Sequence, residues 1–396
     1  MAESIVIVSA ARTPIGGMLG DFSALAAHQL GSVAIKAAIE RAGVPGDAVD
    51  EVLMGNCLMA GQGQAPARQA ALGAGLPQSA GAVTLSKMCG SGMRAMMFAH
   101  DMLRAESADV VVAGGMESMS GAPYLLKKAR FGVRMGHDQL IDSMIADGLT
   151  CPITLVHMGI TAENIAAKYG ISREEQDEFA AESQQKATAA IQGGHFKDEI
   201  VPVEVAGAKK GETFRFEVDE HPRAGTTAEK LKPLRAAFKP DGGTVTAGNA
   251  SGINDGGAAV VIMSDCKAKE LGLTPLATIR SYASAGVDPS IMGMGPWPAS
   301  EKALERAGLR KEEIDLWELN EAFAAQSLGV QRELKLPKNR VNVNGGAIAL
   351  GHPIGASGAR VLVTLLHAMA ARDARLGVAS LCIGGGQGIA MVVERG

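Results

Sequence analysis

Residues Ala38–Leu53 read A-I-E-R-A-G-V-P-G-D-A-V-D-E-V-L, and residues Ala303–Glu318 read A-L-E-R-A-G-L-R-K-E-E-I-D-L-W-E. The two stretches align without a gap at a constant offset, 303 − 38 = 265. Each predicts a helix closing on a glycine, Gly43 or Gly308, then a short linker and a strand after Asp50 or Asp315. Similar distances downstream, each is followed by a strand, a glycine turn, a helix and a further apolar strand. In the first half these are A-V-T-L-S-K-M-C-G-S-G-M-R-A and A-D-V-V-V-A-G-G-M-E-S; in the second, R-V-N-V-N-G-G-A-I-A-L-G-H-P-I-G-A-S-G-A-R and V-A-S-L-C-I-G-G-G-Q-G. Identity, spacing and order agree, which points to a duplicated α/β unit. Val/Ile-rich strands without clean alternation, interleaved with helices, suggest a parallel sheet covered on both faces.

The 396 residues are enough for two or three domains with well-formed cores. Apolar residues make up 47% and charged residues 20%, so disorder and low-complexity architectures are excluded. Lys plus Arg number 38 against 42 Asp plus Glu, a net charge of −4. This balance argues against a nucleic-acid partner and leaves room for local basic patches that suit a smaller anion. No run of about 18 apolar residues occurs, so no membrane association is expected. The opening M-A-E-S-I-V-I-V-S-A-A-R places an acid where a signal peptide requires positive charge, and reads as a first strand. The closing M-V-V-E-R-G does not match a peroxisomal address. Five widely spaced cysteines, Cys57, Cys89, Cys151, Cys266 and Cys382, suggest reduced thiols and a cytoplasmic location.

Residues 121–250 differ in texture and read as an insertion after the last strand of the first half. The stretch S-R-E-E-Q-D-E-F-A-A-E-S-Q-Q-K-A predicts a helix with Ser172 as N-cap and Glu175 at capping-box spacing. Lys127–Arg134 carries four basic residues and no acid, and His221–Pro240 carries five against one. The run G-G-A-A-V-V-I-M then predicts a strand that rejoins the first sheet. The division expected is 1–120 completed by 251–274, an inserted domain over 121–250, and 275–396.

Phosphate-binding G-x-x-x-x-G-K-[ST], nucleophile-elbow G-x-S-x-G, zinc-binding H-E-x-x-H and a dinucleotide-binding G-x-G-x-x-G after a strand are all missing. No His/Cys/Asp spacing matches a metal site. Four positions remain as candidates for chemistry. Cys89 lies where an extended stretch runs into a helix through two glycines, a place where the helix dipole and free N–H groups lower a thiol pKa. The other reading is a small buried filler. His352 sits on a glycine-rich approach to a helix, with Pro353 in its first turn, which favours catalysis over packing. Cys382 ends an apolar strand and precedes three glycines whose N–H groups could face an oxyanion, or it is a buried thiol in a turn. Asn320 follows the duplicated strand, as a polar ligand at a strand end or as a helix N-cap. All four fall at strand ends of two related halves, so pseudo-symmetry can bring them to one cleft.

From end to end the sequence resembles the thiolases of the short, acetyl-CoA acetyltransferase type. The blocks that carry the resemblance are S-A-A-R-T-P-I-G, K-M-C-G-S-G-M-R-A, V-V-V-A-G-G-M-E-S-M-S, H-M-G-I-T-A-E-N, G-N-A-S-G-I-N-D-G-G-A, N-E-A-F-A, the Asn342–Arg360 block and C-I-G-G-G-Q-G, in the family's order. The resemblance implies two duplicated α/β core domains with central mixed sheets covered by helices, plus an inserted loop domain. It implies no tightly bound cofactor, acetyl-CoA and coenzyme A as substrates, and a homotetramer.

Carried over residue by residue, the resemblance makes Cys89 the acyl-accepting nucleophile and His352 its base. Cys382 becomes the base that enolises the second acetyl-CoA. Asn320 holds a water at the enolate oxygen, and the N–H groups of Cys89 and Gly384 form the oxyanion hole. His157, Met158, Met292 and Phe323 would line the acyl pocket. Ala247, Gly248 and Ser251 would hold pantetheine amides, and Arg223 would sit near the nucleotide. Lys127–Arg134 resembles the cationic loop that joins dimers into tetramers. Gly257 stands where alanine is usual, and Trp297 is bulkier than the aliphatic residue expected there, which could reshape a pocket wall. A broader, longer-chain 3-ketoacyl-CoA thiolase is the alternative within the fold. A decarboxylating ketoacyl synthase has no need of Cys382, an intact set of four argues against a silent lipid-binding member, and a redox-sensing thiol protein predicts no acyl-enzyme.

Overall fold

The computed structural model describes residues 3–207, 209 and 211–396. The first half contributes β1 (Ile5–Arg12), β2 (Glu51–Gly55), β3 (Gly81–Leu85), β4 (Val110–Ser118) and β5 (Asn254–Ser264). The second contributes β6 (Ala277–Gly286), β7 (Leu316–Leu319), β8 (Leu376–Ile383) and β9 (Gln387–Glu394). Among the described residues these join one sheet in the order β7-β8-β9-β6-β1-β5-β4-β2-β3, with the two-residue strand Gly16–Gly17 beside β5. The order is symmetric about the central antiparallel contact of Val6 with Thr278 and Ile7 with Ala277. A parallel bridge from Trp317 to Val341 stands where β3 stands in the first half. The duplication read from the sequence is thus repeated in the strand order.

Strands β2, β3 and β4 run parallel, as do β7 and β8. Strands β1, β5, β6 and β9 pair antiparallel, so the sheet is mixed rather than parallel throughout. The reason is local for β8 and β9: only Gly384–Gly386 connect them, and so short a link permits only a hairpin. The strand expected to return after the insertion is β5, which sits between β1 and β4.

The α-helices of eight or more residues are α1 (Ala27–Ala42), α2 (Pro66–Gly73), α3 (Ser91–Arg104), α4 (Met158–Tyr169), α5 (Arg173–Gln192), α6 (Pro296–Ala307), α7 (Ala324–Leu334) and α8 (Ile354–Ala371). Gly43 and Gly308 end α1 and α6 with φ of 69° and 67°. Asp50 Oδ2 accepts the N–H groups that open β4, and Asp315 Oδ2 those that open β8, so the duplicated aspartates do the same work. Ser172 and Glu175 form the predicted capping box. Alternate residues of each strand point to opposite faces. On β4, Val111 and Ala113 face α3 and α8, while Val110 and Val112 face α1 and α2. On β9, Ile389 and Met391 face α3 and α8, while Ala390 and Val392 face α6 and α7. The result is five layers with α3 and α8 in the middle. Helix α8, whose mean hydropathy of 1.4 over 18 residues would suffice for a bilayer, is therefore the central core helix.

The duplicated S-G-x-R motifs, Ser91–Arg94 and Ser357–Arg360, are where these two helices cross. A Cβ on Gly92 would lie 2.6 Å from Ala359 N, and one on Gly358 2.4 Å from Met93 N. Only glycine on both sides permits this approach, which brings the N-termini of α3 and α8 together. Gly257 has a similar cause: a Cβ there would lie 2.7 Å from Leu30 O on α1. Trp297 packs on the outer face of the second half, among the residues around α6, and does not reshape a pocket wall.

Candidate active site

The crossing of α3 and α8 places the loops ahead of both helices side by side. In the first loop Met88 adopts a left-handed φ of 47°, a costly conformation for a residue with a side chain. Ser91 holds this turn: its Oγ accepts from Lys87 N at 2.7 Å and donates to Met88 O at 2.6 Å. The turn directs Cys89 into a cavity of about 610 Å³, within the range of small-molecule sites. In the second loop, His352 N–H donates to Asn254 Oδ1 at 2.9 Å, and the ring is buried. Between the loops lies Glu117, fully buried, which accepts from Asn56 Nδ2, Cys57 N, Leu58 N and Gly355 N at 2.8–3.1 Å. Burial pushes its carboxyl up to about 7 against the backbone N–H groups of Leu58, Cys57 and Gly355.

Ser357, one turn into α8, fixes the imidazole. Its Oγ lies 2.6 Å from His352 Nδ1 and 2.8 Å from Pro353 O. The hydroxyl has one proton, which goes to the carbonyl, so Nδ1 is the donor and Nε2 is left as a bare acceptor. Burial, reinforced by the charge of Arg360, pushes His352 down to about 3. Burial likewise pushes Cys89 up to about 11, although the backbone N–H groups of Gly384 and of Cys89 itself favour the thiolate. The lowered thiol pKa expected from the helix dipole is therefore overturned: desolvation outweighs the dipole, and the resting pair is a neutral thiol and a neutral imidazole. Cys382 is fully buried at the end of β8, its thiol pushed up by burial and by the proximity of Cys89.

Ten of the thirteen residues singled out by sequence line this cavity: Cys89, His157, Met158, Arg223, Ala247, Ser251, Met292, Phe323, His352 and Gly384. Cys382 lies immediately behind the wall, packed with Met158, Met292 and Phe323. Asn320 is also buried behind it, with Nδ2 3.4 Å from His352 Nδ1. Asn320 is not a helix cap, since α7 begins at Ala324 after Phe323. Gly248 does not line the cavity: its N–H is tied to Thr246 Oγ1 at 3.2 Å, and its Cα faces Leu231 and Leu234. His157 caps α4, its Nδ1 accepting from Gly159 N at 3.0 Å, which leaves Nε2 to carry a proton. Arg223 is exposed at the mouth, with its backbone N–H held by Gln184 Oε1 at 2.8 Å.

Sequence reasoning missed Phe238, whose ring stacks on His157 at 4.6 Å and meets Phe323 edge-on at 6.2 Å. It also missed Ser357, Glu117 and Asn254. The signal available for Ser357 was its repetition as Ser91 in the two S-G-x-R motifs. Among the described residues, no group of three or more His, Cys, Asp or Glu side chains could hold a metal ion.

This architecture has known counterparts. The family model for the thiolase N-terminal domain matches residues 5–266, and that for the C-terminal domain matches residues 273–395. The chain belongs to the thiolase family. It is 58% identical over 393 residues to an acetyl-CoA acetyltransferase of Pseudomonas aeruginosa, covering 99% of this chain and 100% of that one. It is 59% identical over 394 residues to an acetyl-CoA acetyltransferase of Escherichia coli K12, covering 99% of each. The crystal structure of the Bacillus anthracis acetyl-CoA acetyltransferase superposes with a TM-score of 0.97 at 47% identity, covering 100% of this chain and 99% of that one. The thiolase fold implied by the resemblance is therefore the fold of the chain.

Proposed function

We infer that the protein is an acetyl-CoA C-acetyltransferase, catalysing the reversible Claisen condensation of two acetyl-CoA to acetoacetyl-CoA and CoA through an acetyl-cysteine. One observation carries the assignment of the nucleophile: the Cys89 thiol enters the cavity that also holds Gly384 and the bare Nε2 of His352, with the backbone N–H groups of Cys89 and Gly384 favouring its thiolate. Donors so placed meet the oxygen that becomes negative when this sulfur attacks a carbonyl.

The proton balance follows from the resting state. Cys89 gives its proton to His352 as its sulfur attacks the thioester. The tetrahedral intermediate collapses to acetyl-Cys89, and the departing CoA sulfur takes the proton of Cys382. The two steps leave a Cys382 thiolate facing an imidazolium. That thiolate is a strong base because burial opposes its charge. It removes a proton from the methyl carbon of the second acetyl-CoA while His352 and a water on Asn320 donate to the enolate oxygen. The carbanion attacks acetyl-Cys89, and the expelled Cys89 sulfur recovers its proton from His352. Cys382 keeps the proton from carbon, so the enzyme returns to its starting state. Thiolysis of acetoacetyl-CoA is the same path reversed.

His157, Met158, Met292 and Phe323 line the cavity where a short acyl group and the thioester would lie. Ala247 and Ser251 border the stretch expected for pantetheine, and Arg223 stands at the mouth beside the basic tract. Coenzyme A enters here as substrate, with no further cofactor. Exposed Phe131 and Met135, 80% and 97% accessible, flank Arg130 and Arg134 on a loop closed by pairing of Tyr124–Leu125 with Ile141–Asp142. We assign this loop to a homotetramer of two dimers and the reaction to lipid metabolism, and the five free thiols support a cytoplasmic location. Steady-state thiolysis tests the specificity. A kcat/KM at least tenfold higher for acetoacetyl-CoA than for a six-carbon 3-ketoacyl-CoA is expected; equal values would assign the broader-specificity reading instead.

A further inference from the structure

Asparagine side chains have two ends of nearly equal size, and only their partners decide which end faces where. For Asn320 that partner is Arg360, on the same face of α8 as Ser357 and one turn beyond it. Arg360 is 1% exposed. Its Nη1 donates to Glu318 Oε1 at 2.8 Å and its Nη2 to Asn320 Oδ1 at 3.4 Å. A guanidinium can only donate, so the amide must turn its oxygen to Arg360 and its NH₂ toward His352 and the cavity. There Nδ2 lies 3.4 Å from His352 Nδ1 and 3.5 Å from Nε2.

We propose that Arg360, itself held by Glu318, is a positioning residue for the condensation half-reaction: it locks Asn320 with its N–H groups facing the site of the enolate oxygen. The inference rests on the reading of the site given above. A cation bonded to the amide oxygen also polarises the amide, which makes its N–H groups better donors. The pair is poorly explained as a stabilising feature. Buried ion pairs are often no better than apolar side chains of the same volume, and the Nε of Arg360 has no partner at all. The duplicated motif offers an internal contrast. Arg94, the equivalent residue in the first half, lies over the ring of Phe98 at 4.2 Å and carries no such asparagine.

Two reactions separate positioning from general damage: acetylation of Cys89 by acetyl-CoA in a single turnover, and condensation measured as acetoacetyl-CoA formed. Asn320 acts only in the second. Arg360→Met is expected to acetylate within about threefold of the parent while condensation falls by about 100-fold, the effect of losing one preorganised donor. Arg360→Lys, which restores a cation to the amide oxygen, should regain at least about fivefold. The double variant Arg360→Met/Glu318→Met leaves no unpaired charge, so it should melt close to the parent temperature yet remain deficient in condensation. Normal condensation in the double variant overturns the proposal, as do no recovery with lysine or equal loss of both half-reactions. Absence of acetyl-Cys89 in the parent enzyme would instead overturn the reading of the site.

Discussion

Replacing Ser357 by alanine isolates the orientation of the His352 ring. The hydroxyl is fully buried, lies 2.6 Å from Nδ1 and passes its own proton to Pro353 O. Alanine leaves the imidazole two options. It can keep its proton on Nδ1 without a partner, or move it to Nε2, where it blocks acceptance of the Cys89 proton. An orphaned buried donor costs about 1–3 kcal/mol. At about 1.4 kcal/mol per decade, acetylation should slow by about 5- to 150-fold. Rapid-quench formation of acetyl-Cys89 measures this directly, with KM for acetyl-CoA nearly unchanged because Ser357 does not line the cavity. A Ser357→Ala enzyme that acetylates within twofold of the parent would refute the assignment of Nε2 as the base.

Three further outcomes follow from the same geometry. Because His352 sits near 3 and Cys89 near 11, neither changes charge at neutral pH, so an inflection in kcat/KM for acetylation between roughly pH 5 and 9 should come from Glu117, near 7, and vanish in Glu117→Gln; an inflection near 6.5 that survives this substitution would mean an ordinary imidazole. Gly358→Ala puts a methyl group 2.4 Å from Met93 N, and should lower unfolding free energy by about 1–3 kcal/mol in chemical denaturation. An unchanged midpoint would contradict the close crossing of α3 and α8. Phe238→Ala removes the ring stacked on His157, and should raise KM for acetyl-CoA by about tenfold with a smaller effect on kcat; an unchanged KM would detach Phe238 from substrate binding.

Much of the fold was legible because duplication leaves two copies of every local signal. Gly43 and Gly308, and Asp50 and Asp315, could each be read against the other. The antiparallel pairing of β1 with β6 was not legible, since it depends on how the halves meet and not on any pattern within either. Cys89 and His352 stood out because glycine-rich turns flank them. Their protonation did not: the helix start next to Cys89 argued for a low pKa, and only packing reveals that burial wins. Glu117, Asn254 and Phe238 act on loops far from them in sequence, so no spacing marks them. Trp297 looked like a departure that could reshape a pocket wall, and instead packs around α6 away from the cavity.

The central claim is that one sulfur stores the acyl group and a second moves the proton. It is tested most directly by incubating Cys382→Ala with acetyl-CoA, locating the acetyl group by peptide mass, and assaying acetoacetyl-CoA in the same sample. Acetate should still accumulate on Cys89, more slowly than in the parent because the departing CoA sulfur no longer has the Cys382 proton, while acetoacetyl-CoA stays below about 1% of the parent's, as expected when a general base is lost. Acetate on any other residue, or condensation at the parent's rate, would contradict the account.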